Sequence, residues 1–336
     1  MISLEEKFLV NILYRPASEI LNGVDIKSIN FEKLITLASG HLMLPALFFN
    51  IQKKKASYLF PEDFIAYIKN IFTINKARNE ILLAEAKQLS QLLVENNINH
   101  IFLKGTALLL SNVFEDIGER MIGDIDFIIQ HKDEEKIKRV LEKINYNSTY
   151  TIRISRFIKP KHLTRVSKKN KKIAIEPHLE LLKYKYRWIF NSKELINNFK
   201  KGIKTIKTPS TSFLFDHCIY NFQINDAGFL NSNHSHRSIY DIYKLDYKNS
   251  LRIKNIKKDI FIKHFFLNIG KFKIFDIAIK ANLWSFHFDK LCMVVISNIC
   301  MRYLQILELF VSNPYRKHAL NKIINYFYKR SIKPNI

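Results

Sequence analysis

Acidic residues are scarce in this chain. Its 336 residues carry 30 Asp plus Glu against 54 Lys plus Arg, a formal net charge of +24. That balance favours polyanionic partners, nucleic acid first and anionic membrane surfaces second. The competing account is compositional drift, because the chain is crowded with Ile, Lys, Asn, Phe and Tyr, residues that AT-rich codons specify. Cysteine is rarer still. Cys218, Cys292 and Cys300 are an odd number without metal-ligand spacing, so the sequence predicts buried, reduced thiols rather than a disulfide framework. No apolar run approaches the ~18 residues that span a bilayer, and no transmembrane segment is expected. The N-terminus "MISLEEKFLV" places an acidic pair where a secretory signal would be basic. Together these absences lead to the expectation of a soluble cytoplasmic protein.

The chain also lacks internal repeats and any Gly/Ser-rich linker. With 47% hydrophobic and 13% aromatic residues it has ample material for a core. Its length suits one large domain or two ordinary ones. Residues 1–98 read as a helical region, with helical spacing in "FEKLITLASGHLMLPALFFNIQ" and a long amphipathic helix over residues 75–97. Residues 99–190 read as an α/β core: strand, turn, helix, strand and helix, then a β-hairpin of "KHLTRVS" and "KIAIEPHLEL" around "KKNKK". Helical signals return over residues 191–336.

Within that core, "RMIGDIDFII" (Arg120 to Ile129) sets two aspartates one residue apart in an apolar run. Side chains alternate along a strand, so Asp124 and Asp126 share a face. Two like charges so close are costly unless a cation sits between them, and a divalent metal is the usual solution. Glu176 in "IAIEPHLEL" faces away from Ile173 and Ile175 on a second strand. Three carboxylates on adjacent strands would hold Mg²⁺ through hard oxygen ligands. "LKGT" (Leu103 to Thr106) places Gly105 at a strand-to-helix turn, where backbone N–H groups, Lys104 and Thr106 can meet an anion. It is not a Walker A loop, since the spaced glycines and GK[ST] ending are missing. Combined, the parts describe phosphoryl or nucleotidyl transfer, with Arg120 neutralising phosphate charge.

"FLKGTALL", "ERMIGDIDFII" and "IEPHLEL", taken in order, resemble the uncharacterised nucleotidyltransferase family of the DNA polymerase β-like superfamily. "ASGHLMLPALFF" with His41 and "HSHRSIYDIYKL" with Arg237 and Asp241 extend the likeness, which covers about residues 30–245. The resemblance implies an α+β fold: a polymerase-β-like core of small mixed sheet and flanking helices, with helical regions added at both ends. It also implies transfer from an NTP with Mg²⁺ or Mn²⁺, with Asp124, Asp126 and Glu176 as metal ligands. One departure concerns Pro177, which cannot donate to a ladder, so the strand is expected to be an edge or to end there.

Other side chains carry two readings each. His178 shares the Glu176 face and would touch a phosphate or orient the carboxylate; the plain alternative is a packed histidine. His162 opens the partner strand and would approach the same site by that route, a weaker version of the same idea. Arg237 and Asp241, four apart, read as an ordinary helix ion pair before they read as substrate contacts. Residues 151–175 hold nine basic side chains (Arg153, Arg156, Lys159, Lys161, Arg165, Lys168, Lys169, Lys171, Lys172) and no acid before that segment reaches its end. They form either a groove for RNA, favoured at Arg153, Arg156 and Arg165, or a solvated hairpin tip, favoured at "KKNKK". The acceptor is accordingly RNA (tRNA included) or protein. The alternatives are a sugar in surface-glycan assembly, or an idle fold that binds RNA or protein without turnover.

Overall fold

A computed structural model of the protein describes residues 2–146, 160–168, 173–190, 206–245, 259–277 and 283–311, with Ser192, Leu195 and Leu320. Four strands form one mixed sheet in the order β1-β2-β4-β3: β1 His100–Phe102, β2 Asp124–Ile129, β3 Val166–Ser167 and β4 Ala174–His178. β2 runs antiparallel to β1, with Ile128 opposite Ile101, and parallel to β4, with Asp126 opposite Glu176. β3 closes the far edge antiparallel to β4, so the expected hairpin is present. Its turn, residues 169–172, lies outside the described residues, as do Arg153, Arg156 and Lys159. Every residue of β2 after Asp124 is buried. The architecture is α+β.

Pro177 departs from expectation. β4 is an inner strand at that point: Pro177 lies opposite Phe127 of β2, and its carbonyl accepts from the Leu163 N–H at 2.8 Å. Its nitrogen therefore faces the Leu163 side, between the β3 pairing and the isolated bridge of His162 with His178. The missing N–H falls where the ladder is already interrupted, which is how a sheet interior tolerates proline.

The N-terminal helices are α1 Leu4–Tyr14, α2 Phe31–Gly40, α3 Leu44–Lys53 and α4 Glu62–Glu95. The apolar stretch from Phe31 is two helices rather than one. Leu42 adopts a left-handed φ of 57°, and Pro45, in the first turn of α3, has no N–H to continue a helix. The long helix starts earlier than its amphipathic stretch suggested, directly after Pro61. Two buried asparagines on α4 hold the loop that leads into β2. Asn75 Nδ2 donates to the Gly118 carbonyl at 2.7 Å; Asn79 Nδ2 donates to those of Ile117 and Arg120 at 2.6 and 2.8 Å. Glu119 in that loop is buried and accepts from Tyr240 Oη at 2.6 Å, with Lys244 Nζ at 3.0 Å.

Between the strands in chain order lie α5 Lys104–Leu110, after β1, and α6 Glu134–Lys143, after β2. They are followed by α7 Thr211–Tyr220, α8 Gly228–Asn231, α9 His236–Lys244, α10 Ile260–Ile269 and α11 Leu283–Val311. A π-helical turn, Asn221–Asn225, continues α7 without a break. α7 packs on α5, α9 and α10, which joins the C-terminal helices to the helix that itself packs on β2. Cys218 on α7 and Cys292 on α11 are free and half-buried rather than fully buried; the Cys300 side chain is outside the described residues.

Helix α11 bears on the expectation about apolar length. Its stretch Lys290–Leu307 is long and apolar enough, by length and composition, to cross a membrane. Ser297, Asn298 and Gln305 break up any continuous apolar run, yet only Lys290 and Arg302 are charged within it.

Candidate active site

The site is built where β2 and β4 lie side by side. Parallel pairing in this register puts Asp126 and Glu176 opposite each other. Lys104, the first residue of α5, reaches between them: its Nζ lies 2.7 Å from Asp126 Oδ1 and 3.2 Å from Glu176 Oε2. Lys104 has a φ of 49°, a left-handed conformation that costs a non-glycine residue roughly 1–2 kcal/mol. Two charge-assisted hydrogen bonds offset that strain. His178 approaches the same oxygens from β4, with Nε2 2.8 Å from Asp126 Oδ1 and 3.0 Å from Glu176 Oε2.

Electrostatics follow from these contacts. Burial works against the Glu176 carboxylate, but the His178 hydrogen bond and the Lys104 ammonium outweigh it and hold its pKa far below the usual range. Burial would also lower the Lys104 ammonium, yet Asp126 and Glu176 prevail and keep it protonated. Asp124 differs. Its burial, with Asp126 and Glu176 nearby, raises its pKa despite the pull of Arg165.

Several expected residues occupy other roles. Asp124 is ion-paired with Arg165 Nη2. The Thr106 side chain is fully buried and bonded to β2, donating to the Asp124 carbonyl at 3.1 Å and accepting from the Asp126 N–H at 3.3 Å, so it ties α5 to the strand. Arg120 forms a buried bidentate pair with Asp241, Nε to Oδ1 at 2.6 Å and Nη2 to Oδ2 at 2.8 Å. Asp241 is therefore committed across the fold, and the ordinary i,i+4 pair with Arg237 does not form. Arg237 lies instead 3.9 Å from Asp226. His162 Nδ1 lies 3.5 Å from Glu176 Oε1.

A cavity of about 250 Å³ opens beside the carboxylates. Lys104, Gly105, Arg120, Asp124 and Asp126 form one wall; His217, Cys218, Asn221, Asp226, Arg237, Ser238 and Asp241 form the other. At Gly105 an added Cβ would stand 3.0 Å from Ile122, so the turn tolerates nothing larger without a shift. The second wall went unread in the sequence apart from Arg237 and Asp241. Its one local signal is the π-turn, which no side-chain periodicity announces. His217 is buried there, and burial, then the charge of Lys104, pushes it down to about 3. Lys161, from the basic segment, sits close enough that burial and then Lys104 push it down to about 8.

The donor set suits a hard divalent ion. Asp126, Glu176 and His178 each offer a ligand atom, all within 4.8 Å of one another. His178 Nδ1 is buried without a hydrogen-bond partner among the described residues. The two carboxylates supply the oxygen donors that Mg²⁺ or Mn²⁺ takes, and the imidazole is a softer neighbour that orients them. The sequence had grouped Asp124 with Asp126 and Glu176; in the structure His178 is nearer the pair, and Asp124 flanks them with Arg165.

The mixed sheet sets carboxylates on neighbouring parallel strands, and Asp124 and Asp126 of one of them line a cavity together with Lys104 and Arg237, an arrangement suited to nucleotidyl transfer. Residues 27–256 match the family model described as uncharacterised nucleotidyltransferase, and the chain belongs to that family. No curated protein and no solved structure matches the chain.

Proposed function

We propose that the protein transfers a nucleoside monophosphate from an NTP to an acceptor hydroxyl and releases pyrophosphate. The carrying observation is the Asp126–Glu176 pair bridged by Lys104, with Asp126 and Lys104 in the wall of a cavity that also presents Arg237. Mg²⁺ or Mn²⁺ held by Asp126 and Glu176, with His178 and Asp124 beside them, would neutralise phosphate charge and acidify the attacking hydroxyl. Lys104 and Arg237 bind the phosphates. The acceptor oxygen forms a bond to the α-phosphorus as the bond to the β-phosphate oxygen breaks, and the hydroxyl proton passes to Glu176. Lys104 depresses the Glu176 pKa while it is paired there, so turning to the phosphates makes Glu176 the better base.

A polyanionic acceptor such as RNA accords with the net charge of +24 and with Lys161 and Arg165 at the carboxylates. The test is label transfer from each α-labelled NTP into fractionated cell extract, with Asp126→Asn as control. Label in RNA, lost in the control, supports the reading. Label in a neutral sugar moves the acceptor to glycan precursors. Salt-sensitive RNA binding without turnover of any nucleotide would leave only a binding role.

A further inference from the structure

A second cluster of ligating side chains lies outside the carboxylate site. His41, His234 and His236 each offer an imidazole nitrogen, and the three lie within 4.8 Å of one another. Ring centroids confirm the crowding: His41 is 4.8 Å from His236 and 5.8 Å from His234. Glu6 on α1 joins them, its Oε1 2.7 Å from His234 Nε2 and 3.1 Å from His236 Nε2. Among the described residues no lysine or arginine pairs with Glu6, in contrast to Asp126, whose oxygen Lys104 already occupies.

A further observation points to a ligand. His236 is fully buried, yet its Nδ1 has no hydrogen-bond partner among the described residues. Buried polar atoms are normally satisfied, so an orphan nitrogen in a cluster of imidazoles implies a missing partner. Phe272 packs beside them, with its ring 5.0 Å from His234 and 5.2 Å from His236.

We propose that His41, His234 and His236, with the Glu6 carboxylate beside them, bind a Zn²⁺ ion in a structural role. Three imidazoles and a carboxylate suit this borderline ion and not Mg²⁺, which prefers oxygen. The chain elements explain what the ion would do. Glu6 comes from α1, His41 from the break between α2 and α3, and His234 and His236 from the turn that enters α9. Arg237, Ser238 and Asp241 on α9 line the cavity, starting one residue after His236. A bound ion therefore staples the N-terminal helices to the helix that forms the second cavity wall. This site is independent of the proposed transfer reaction.

The test uses tag-free, full-length protein. Zinc content is measured after dialysis, and Co²⁺ is titrated into metal-free protein while its visible d–d absorption is followed. The expected result is one equivalent of Zn²⁺ and an intense, low-coordinate Co²⁺ spectrum. Both persist in Asp126→Asn, and affinity falls by at least about 10²-fold in His234→Gln and His41→Gln. Wild-type protein should lose melting temperature to a chelator and regain it with Zn²⁺ but not with Mg²⁺, a readout that survives if either variant fails to fold. Absence of stoichiometric metal, together with a Co²⁺ spectrum like that of the free ion, would overturn the proposal. So would a spectrum unchanged in folded His234→Gln and His41→Gln.

Discussion

Asp126 and Glu176 stand opposite each other on parallel strands, and the Lys104 ammonium bridges them at 2.7 and 3.2 Å. The lysine supplies the positive charge that two apposed carboxylates require. It also occupies oxygens that a divalent ion would use, so the two cations compete. Lys104→Met is expected to bind Mg²⁺ or Mn²⁺ more tightly than wild type by calorimetry, yet to lose about 10²–10³-fold in turnover, since the phosphates lose a positioned charge. Weaker metal binding in that variant would contradict the competition.

Arg120 and Asp241 form a pair whose partners are both buried. Removing one partner leaves an uncompensated charge, at a cost of about 3–5 kcal/mol. Arg120→Ala and Asp241→Ala should each show that loss in urea unfolding. The double variant should lose less than their sum, because neither charge is then stranded.

His100 on β1 gives a pH dependence away from the site. It is buried between Ser90 Oγ, 2.8 Å from Nε2, and the Ile98 carbonyl, 3.1 Å from Nδ1. Burial pushes its pKa from 6.5 down to about 4. The unfolded chain therefore takes up a proton below pH 6.5 that the folded chain refuses. Its contribution is complete above pH 6.5 and is lost progressively as pH falls toward 4. At about 1.4 kcal/mol per tenfold in proton affinity, that loss totals roughly 3 kcal/mol. Comparing unfolding free energies of wild type and His100→Gln across this range should show the shallower dependence in the variant; parallel curves would refute it.

Lys161 and Arg165 bear on the acceptor. If RNA crosses this edge of the sheet, Lys161→Ala should weaken binding and lower the slope of log K against log salt by about 0.7 for a single strand. Arg165→Ala should do the same while releasing Asp124 from its ion pair. An unchanged slope in both variants would remove RNA from the acceptor class.

Much of the core was legible because its signals are local. β2 declared itself through an apolar run with alternating faces, and the hairpin through two such runs around a polar turn. The same alternation placed Asp124 and Asp126 on one face. The break at His41–Met43 was also written locally, in Gly40 and Pro45, yet helical spacing continues across it and hides the turn.

What stayed hidden depends on separation along the chain. Arg120 meets Asp241, and Glu6 meets His234 and His236, across much of the sequence. Periodicity carries no information about such partners; they are chosen by how α1 packs on α2 and α3 and how α9 packs on α7.

The sequence by itself determined the strands, their carboxylates and the excess of positive charge, because these follow from residue type and from a two-residue repeat. Only the tertiary structure decided which cation faces which carboxylate. Lys104 went to Asp126 and Glu176, Arg165 to Asp124 and Arg120 to Asp241. The physical reason is that buried charges must find opposite charges nearby, and which ones are nearby is a property of the packed chain.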